Sequence, residues 1–403
     1  MRSTISIAES GTVAMNLDQI RQDIPGLDAH VYFNTGGTGP SPRQVTNAVS
    51  GAYQLMADQG AEAPPVKQEI AARSAAARAR IAELLGVDTD EIALLRSVSE
   101  GMNVVATGLD WQAGDEIILT DQEHPTGLLP WFNLRNRTDV ELKFVPLTDD
   151  PDELLDRFKD AMSPRTKLLS LSHVTAENGL RLPAKEIVDL AHANGAQVLF
   201  DGAQSVGQFP IDLRDINADY YAMTGHKWLC GGMGVGAFYV RKDLLDDLSV
   251  TWIGAGSTAD LNRETGEFTL HPGANRYEFG NRAWPLYIGL GEAVDYIQTL
   301  GTDQIESRAG ETADGFKRDL ASIPGVTVIS PMDPALSTGI VSFTVDGMTG
   351  PEVASALWER WQIICRAAMH GTATRLSVAF FTNDTEIATA RDAVATLARE
   401  GAA

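Results

Sequence analysis

Apolar and polar positions follow two different periods along the chain. From about Val45 to Leu85 the apolar residues recur at helical spacing, and Pro64-Pro65 predicts a break between two helices. Beyond Gly86, short apolar runs alternate with helical segments, which predicts strands at residues 92–95, 116–120, 141–146, 167–173, 197–201, 220–223 and 236–240. This alternation predicts an α/β fold with a mostly parallel sheet of seven strands, flanked by helices.

The C-terminal part has a different pattern. A loop is predicted at 272–285 and a long helical stretch at 286–323, followed by strands at 339–345 and 376–380 and helices at 351–361 and 384–400. We therefore expect an N-terminal segment at 1–30 that packs with a small domain, a large domain at 31–290, and a small α+β domain at 291–403. The sequence has no internal repeat or low-complexity linker, so the two domains are expected to pack tightly.

Composition and charge exclude several classes of protein. A chain of 403 residues that is 44% hydrophobic has enough apolar material for a large core. The formal net charge of −22 disfavours nucleic-acid and membrane partners, and we interpret it as a solvated acidic surface. Two cysteines, no signal peptide and no membrane-spanning run predict a cytoplasmic protein. The seven histidines form no metal-binding motif, so we expect no catalytic metal.

Asp201 is the first candidate for chemistry. It ends a predicted buried strand, at the edge where open α/β sheets place their ligands. An ionised carboxylate there suits a protonated pyridine nitrogen, which lets that ring accept electrons from a substrate carbanion. Taken alone, an aspartate at a strand end is more often a helix N-cap or an ordinary satisfied polar group.

Lys227 is the second candidate, in the segment Thr224-Gly-His-Lys-Trp-Leu229 that follows another predicted strand. The parallel arrangement is expected to bring it beside Asp201. A desolvated lysine amine deprotonates readily and forms a Schiff base, and the glycines around it permit close backbone approach. By itself, a lysine in a glycine-rich turn is usually a surface residue.

These two segments together resemble a known family. DGAQ at 201–204 and TGHKW at 224–228 are similar to the class V aminotransferase group of fold-type I pyridoxal-phosphate enzymes. Further matches follow in the same order along most of the chain: SVSEG at 97–101, DQEHP at 121–125, YEFGN at 277–281 and TRLSV at 374–378. The resemblance implies the fold-type I architecture, pyridoxal 5'-phosphate on Lys227 with Asp201 as partner of its ring nitrogen, and a homodimer with active sites at the subunit interface.

The resemblance also implies roles for other residues that bind the cofactor. His124 would stack on the ring, Gln204 would hydrogen-bond its phenolic oxygen, Thr224 and His226 would bind the phosphate, and Asn281 would reach the phosphate of the partner subunit's cofactor. Independently, residues 97–100 form a polar turn at the start of a predicted helix, where free N–H groups favour phosphate, so Ser99 and Glu100 are candidate contacts. His226 as a core histidine and Ser99 as an ordinary N-cap remain alternatives.

Two arginines near the end of the chain are candidates for binding the substrate. The resemblance implies that Arg375 binds an amino-acid carboxylate through two parallel hydrogen bonds, the geometry that guanidinium supplies best. We expect an apolar setting for both Arg366 and Arg375, where an unpaired guanidinium is costly. Arg366 either assists binding or forms a structural ion pair. Asn34, in the glycine-rich loop at 34–39, is expected to line the substrate pocket.

The resemblance also narrows the reaction. Cysteine desulfurases carry a nucleophilic cysteine on a mobile loop before the carboxylate-binding arginine, whereas residues 367–374 contain none, and Cys230 and Cys365 are expected to be buried and inert. Ala176 stands where desulfurases have an asparagine, and the role of Asn178 is open.

The spacing of the two arginines looks most like the cyst(e)ine carbon–sulfur lyase branch, to which isopenicillin N epimerase-like proteins are related. We therefore expect β-elimination from cysteine, cystine or a cysteine conjugate, giving pyruvate, ammonia and a sulfur product. The alternatives are transamination or epimerisation of an amino acid, a persulfide-forming desulfurase, and a binding protein without turnover.

Overall fold

The computed structural model describes residues 15–401, so the first fourteen residues of the predicted N-terminal segment lie outside the described residues. The α-helices of the described part are α1 Leu17–Asp23, α2 Arg43–Gln59, α3 Pro64–Leu84, α4 Val98–Gly108, α5 Pro125–Arg135, α6 Pro151–Ala161, α7 Ala184–Ala193, α8 Leu213–Ile216, α9 Trp284–Leu300, α10 Thr302–Ala321, α11 Gly350–Trp361 and α12 Asp384–Gly401.

The strands of the described part are β1 Val31–Tyr32, β2 Ile92–Leu95, β3 Glu116–Thr120, β4 Glu141–Val145, β5 Thr166–Ser172, β6 Gln197–Asp201, β7 Tyr220–Thr224, β8 Gly236–Val240, β9 Thr258–Leu261, β10 Phe268–Leu270, β11 Val326–Val328, β12 Ile340–Val345, β13 Ile363–Ile364, β14 Arg366–Ala368 and β15 Ala373–Ser377.

A seven-stranded sheet forms the centre of the molecule, in the order β2-β8-β7-β6-β5-β3-β4. Only β8 runs antiparallel to its neighbours, and the other pairs are parallel. Strands β2, β3, β7 and β8 are buried at every position, as expected for a parallel sheet with helices on both faces. The predicted sheet is confirmed, and each predicted strand matches an observed one to within one residue at either end.

The register of this sheet positions the site. Asp201, the last residue of β6, lies opposite Ser172 on β5 and Ala222 on β7. The carboxyl ends of three adjacent parallel strands therefore meet at one edge, where open α/β sheets bind their ligands. The loops that follow β5, β6 and β7 all begin at this edge.

A second sheet of four antiparallel strands, β11-β12-β15-β14, packs against α10, α11 and α12 through a separate apolar cluster. The strand predicted at 376–380 is misplaced by three residues, because Ala373–Ser377 pairs with β12 on one side and β14 on the other. The helix predicted at 286–323 is two helices, because Gly301 adopts a φ of 81° between them. A domain boundary near residue 290 stays a prediction.

The N-terminal segment contacts the end of the chain. The Arg21 guanidinium in α1 forms a two-point ion pair with Glu386 in α12, and strand β1, which directly follows the segment, pairs with β13. Arg21 Nη1 also donates to the backbone carbonyl of Phe381. Across residues 15–401, no helix has both the length and the apolar character needed to cross a membrane.

Candidate active site

A cavity of about 260 Å³ opens at the carboxyl edge of the large sheet. Nine of the twelve predicted site residues line it: Ser99, His124, Asp201, Gln204, Thr224, His226, Lys227, Arg366 and Arg375. They come from both sheets and from the start of α4 and α5, so residues far apart in the chain converge on one space.

Lys227 and Asp201 supply the reactive charges of this cavity. Asp201 is buried, and its Oδ1 accepts a hydrogen bond of 2.8 Å from the Ala203 N–H. Burial raises the pKa of Asp201, while the charge of Lys227 lowers it. Burial lowers the pKa of Lys227 to about 8, and Asp201 opposes that shift. The two groups thus influence each other across the cavity that both of them line.

The backbone around Lys227 is tightly fixed. The Gly39 N–H donates to the His226 carbonyl at 2.7 Å, and the Lys227 carbonyl accepts from the Cys230 N–H at 2.9 Å. A Cβ at position 39 would lie 2.1 Å from the Lys227 carbonyl oxygen, so only glycine allows this approach. The loop at 34–39 therefore supports the lysine as well as bordering the cavity.

His124 and Gln204 present polar groups that hydrogen bonds to neighbouring residues hold in place. His124 is the N-cap of α5, where its Nδ1 accepts from the Thr126 N–H at 3.2 Å, and burial lowers its pKa. The Gln204 amide donates to the Gly36 carbonyl at 2.9 Å and accepts from Trp228 Nε1 at 2.8 Å. One Gln204 N–H remains for a ligand, and Trp228 fixes the orientation of that amide.

The N-terminus of α4 forms another wall. Ser97 is the N-cap of this helix, so the interpretation of Ser99 as an N-cap is wrong. Ser99 lies in the first turn, and its hydroxyl is 3.4 Å from that of Thr126, a cavity residue that no sequence motif indicated. The Thr224 hydroxyl lies 2.7 Å from His226 Nδ1. Hydroxyl groups and free helix N–H groups around one space form a favourable site for an anion.

Three predicted residues do not line the cavity. Glu100 was expected to contact the cofactor, but its carboxylate accepts from the Arg96 N–H at 2.6 Å and from Arg96 Nη2 at 2.9 Å, so it forms a local ion pair instead. Asn281 is exposed outside the cavity of its own chain, and its reach toward a partner subunit stays a prediction. Asn34 is half-buried, while Gly36 and Gly37 of the same loop line the cavity.

The two arginines lie directly opposite each other on β14 and β15. Arg375 is 1% exposed, and its Nη1 donates to the Ala176 carbonyl at 2.5 Å. Within residues 15–401 its Nε and Nη2 have no hydrogen-bond partner. Burial and the charge of Arg366 lower the pKa of Arg375 to about 10. A buried guanidinium with two unused donors is costly unless an anion binds it, which fits a carboxylate ligand.

Arg366 begins the hairpin that also carries Arg375. The expected apolar setting of Arg366 is wrong, because its side chain is exposed at the cavity mouth. The stretch from 366 to 377 is a hairpin closed by a turn at Met369–Gly371, and it carries no thiol.

Burial raises the pKa of Cys230 and of Cys365 to about 12, so both thiols stay protonated at neutral pH.

Two further polar groups lie next to the site. Asn178 does not line the cavity, because its Oδ1 accepts from the Thr175 hydroxyl and from the Leu180 N–H within its own loop. Glu123 is buried behind the cavity wall and accepts from the Ser172 hydroxyl at 2.7 Å. Burial raises the pKa of Glu123 to about 7. Only its place directly before His124 in the sequence could have indicated that Glu123 lies near the site.

The chain is similar to known proteins of one family. Residues 31–391 match the family described as Aminotransferase class-V. The isopenicillin N epimerase of Streptomyces clavuligerus is 34% identical over 92% of this chain and 95% of its own length. A probable cysteine desulfurase of Methanothermobacter thermautotrophicus (strain Delta H) is 30% identical over 89% of this chain and 88% of its own length.

Two solved structures of the cystine C-S lyase C-DES are also similar, each with a TM-score of 0.87 and 31% identity. One is a mutant with glycine covalently linked to the PLP cofactor, and it is matched over 93% of this chain and 98% of that chain. The other is a complex with the reaction product cysteine persulfide, matched over 92% and 99%.

Proposed function

Because the chain belongs to the class V aminotransferase family, we propose that it is a pyridoxal-phosphate-dependent lyase that breaks the carbon–sulfur bond of a sulfur amino acid, with cystine as the preferred substrate. The observation that carries this proposal is the composition of one cavity. It combines a lysine amine of lowered pKa, a buried carboxylate, and two arginines on a hairpin without a thiol.

The residues of the cavity suit pyridoxal phosphate. Lys227 offers an amine for covalent attachment, and Asp201 offers a buried carboxylate for the ring nitrogen. The other contacts are assigned to Gln204 for the phenolic oxygen, to His124 for the ring face, and to Ser99, Thr224 and His226 with the N-terminus of α4 for the phosphate. When bound, pyridoxal phosphate supplies an aromatic ring that withdraws electrons from the substrate α-carbon.

Lys227 is the proposed base in this reaction. With a pKa of about 8, about one amine in ten is unprotonated at pH 7, against almost none for an exposed lysine. Lys227 takes the proton from the substrate α-carbon and holds it at Nζ. The bond from the β-carbon to sulfur then breaks, and the sulfur leaves with the electron pair. From cystine and one water molecule, the balanced products are pyruvate, ammonia and cysteine persulfide.

Arg375 and Arg366 favour a substrate with two carboxylates. The Nε and Nη2 of Arg375, which have no hydrogen-bond partner within residues 15–401, match the two oxygens of an amino-acid carboxylate. Arg366, directly across the hairpin and at the cavity mouth, places a second guanidinium beside it. Cystine carries two amino-acid carboxylates and cysteine carries one, so this cation pair supports cystine.

A persulfide-forming desulfurase is a poorer fit to the same hairpin. That chemistry needs a thiolate that reaches the substrate sulfur, and residues 366–377 contain no cysteine. Cys365 directly precedes the hairpin, but burial raises its pKa to about 12. The proposed reaction releases sulfur on a small molecule and uses no protein thiol.

The test is to incubate the purified holoenzyme separately with cystine, cysteine and a cysteine sulfoxide conjugate. Pyruvate, sulfide and small-molecule persulfide are then quantified together with the chirality of the remaining amino acid. We expect pyruvate and persulfide from cystine in equal amounts. Racemised or transaminated product without sulfur release would refute the lyase and support the epimerase or aminotransferase alternative. Persulfide on the protein would support a desulfurase.

We also infer a homodimer whose active sites lie at the subunit interface. Asn281 is exposed outside its own cavity, and Trp252 and Phe268 are large apolar side chains that are 60% and 51% exposed in the single chain. Large apolar side chains that are this exposed in the single chain are candidates for burial in a subunit interface. Light scattering of the purified protein is expected to give twice the chain mass of 43.3 kDa.

A further inference from the structure

The loop that follows β5 holds the arginines in place. We call residues 174–180 the clamp loop and residues 366–377 the arginine hairpin. The Glu177 carboxylate accepts a hydrogen bond from the Met369 N–H in the turn of the hairpin. One residue earlier, the Ala176 carbonyl accepts from Arg375 Nη1 at 2.5 Å. The clamp loop therefore contacts both the turn and the substrate-binding guanidinium.

The clamp loop is itself fastened to the same sheet. The Ser342 hydroxyl donates to the Glu177 carbonyl at 2.5 Å, and Ser342 pairs in register with Arg375. Within the loop, the Thr175 hydroxyl accepts from the Leu180 N–H at 2.9 Å. The position of Glu177 is thus fixed on its backbone side, and its carboxylate extends to the hairpin turn.

The turn of the hairpin needs such an anchor. Met369 and His370 adopt φ angles of 50° and 54°, in the left-handed region that non-glycine residues rarely occupy. Only three residue pairs join β14 to β15. A short pair of strands closed by a strained turn holds its shape only when surrounding groups fix it. The Glu177 carboxylate binds Met369, the first of the two strained residues.

We propose that Glu177 is a positioning residue that holds the arginine hairpin against the cavity and thereby sets how tightly substrate carboxylates bind. Glu177 itself does not line the cavity, so it acts through Arg375 and Arg366. The predicted effect of Glu177 on substrate binding rests on the proposed function, whereas its effect on the hairpin does not. No sequence motif assigns a role to Glu177, and the proposal gives it one in holding the hairpin.

The experiment compares the holoenzyme with Glu177→Ala, Glu177→Gln and Glu177→Asp. Glu186→Ala, at an exposed position on the following helix α7, is the matched control. The rate of amide hydrogen exchange across 366–377 measures, without any substrate, how firmly the hairpin is held. Steady-state kinetics with cystine separates KM from kcat. Cofactor absorbance and thermal melting verify that each variant is folded and loaded.

Glu177→Ala is expected to speed exchange in the hairpin and to raise KM about tenfold with kcat within about twofold of the wild type, because the hairpin turn loses its hydrogen bond to the clamp loop. Glu177→Gln keeps an acceptor oxygen and is expected to restore most of the KM. Glu177→Asp keeps the charge but shortens the reach, so it is expected to behave like the alanine variant and replaces it if that variant does not fold.

Unchanged hairpin exchange together with an unchanged KM in the alanine and aspartate variants would overturn the proposal. A glutamine variant as impaired as alanine would overturn it as well, because the hydrogen bond would then not be the cause. If no sulfur amino acid is turned over by any form, the proposed function fails, and the exchange measurement still decides whether Glu177 clamps the hairpin.

Discussion

Replacement of Arg375 by lysine tests how the substrate carboxylate is bound. Arg375 is buried, with Nη1 bound to the Ala176 carbonyl and with Nε and Nη2 unpaired among the described residues. We propose that those two N–H groups donate two parallel hydrogen bonds to one substrate carboxylate. Arg375→Lys keeps the positive charge but supplies at most one of the two bonds.

The size of the effect follows from that single lost bond. A hydrogen bond to a charged group contributes about 1.5–3 kcal/mol. Since about 1.4 kcal/mol corresponds to a factor of ten, we expect kcat/KM to fall by about 10- to 140-fold. Most of the loss is expected in KM, because a carboxylate contact is made in both the bound substrate and the transition state.

The assay is pyruvate release from cystine across a range of substrate concentrations, with cofactor absorbance as a check of the site. Arg391→Lys, on the partly exposed face of α12, is the matched control and is expected to behave as wild type. A kcat/KM for Arg375→Lys within twofold of the wild type would refute the assignment of Arg375 to the substrate carboxylate.

Three other predictions address the charges and thiols of the site. Asp201→Asn removes the buried charge at nearly constant size. Product formation is expected to fall at least about 100-fold, while borohydride still attaches the cofactor to Lys227. Normal turnover would contradict this prediction. Because burial lowers the pKa of Lys227 to about 8, the rate of cofactor uptake by the apoprotein should rise about tenfold per pH unit below pH 8 and level off above it, and a flat profile would argue against a buried amine. Cys365→Ser is expected to retain wild-type cystine cleavage, and a loss greater than about tenfold would indicate a role for that thiol.

The large sheet and the centre of the site were predictable from the sequence. Buried parallel strands produce short apolar runs, which is why seven strands were located to within one residue. Parallel strands end at one edge, so Asp201 at the end of β6 and Lys227 just beyond β7 were expected together. These are consequences of local pattern and of a common sheet direction.

Other features depend on contacts between distant residues. The ion pair of Glu100 with Arg96 is a local exception, because the two residues are only four positions apart and their spacing alone could have indicated it. Arg366 is exposed and Arg375 is buried although they lie opposite each other, and Arg375 Nη1 donates to the Ala176 carbonyl of the clamp loop, a residue far away in the chain. Glu177 follows Ala176 in an irregular loop, and only the folded hairpin gives its carboxylate a partner.

Reduction of the purified protein with borohydride, followed by peptide mapping by mass spectrometry, tests whether Lys227 carries the cofactor, with Lys227→Ala as the control. We expect one pyridoxyl-phosphate group per chain, on the peptide that contains Lys227, and none in the alanine variant. Attachment at another lysine, or a protein that binds no cofactor at all, would rule out Lys227 as the Schiff-base lysine.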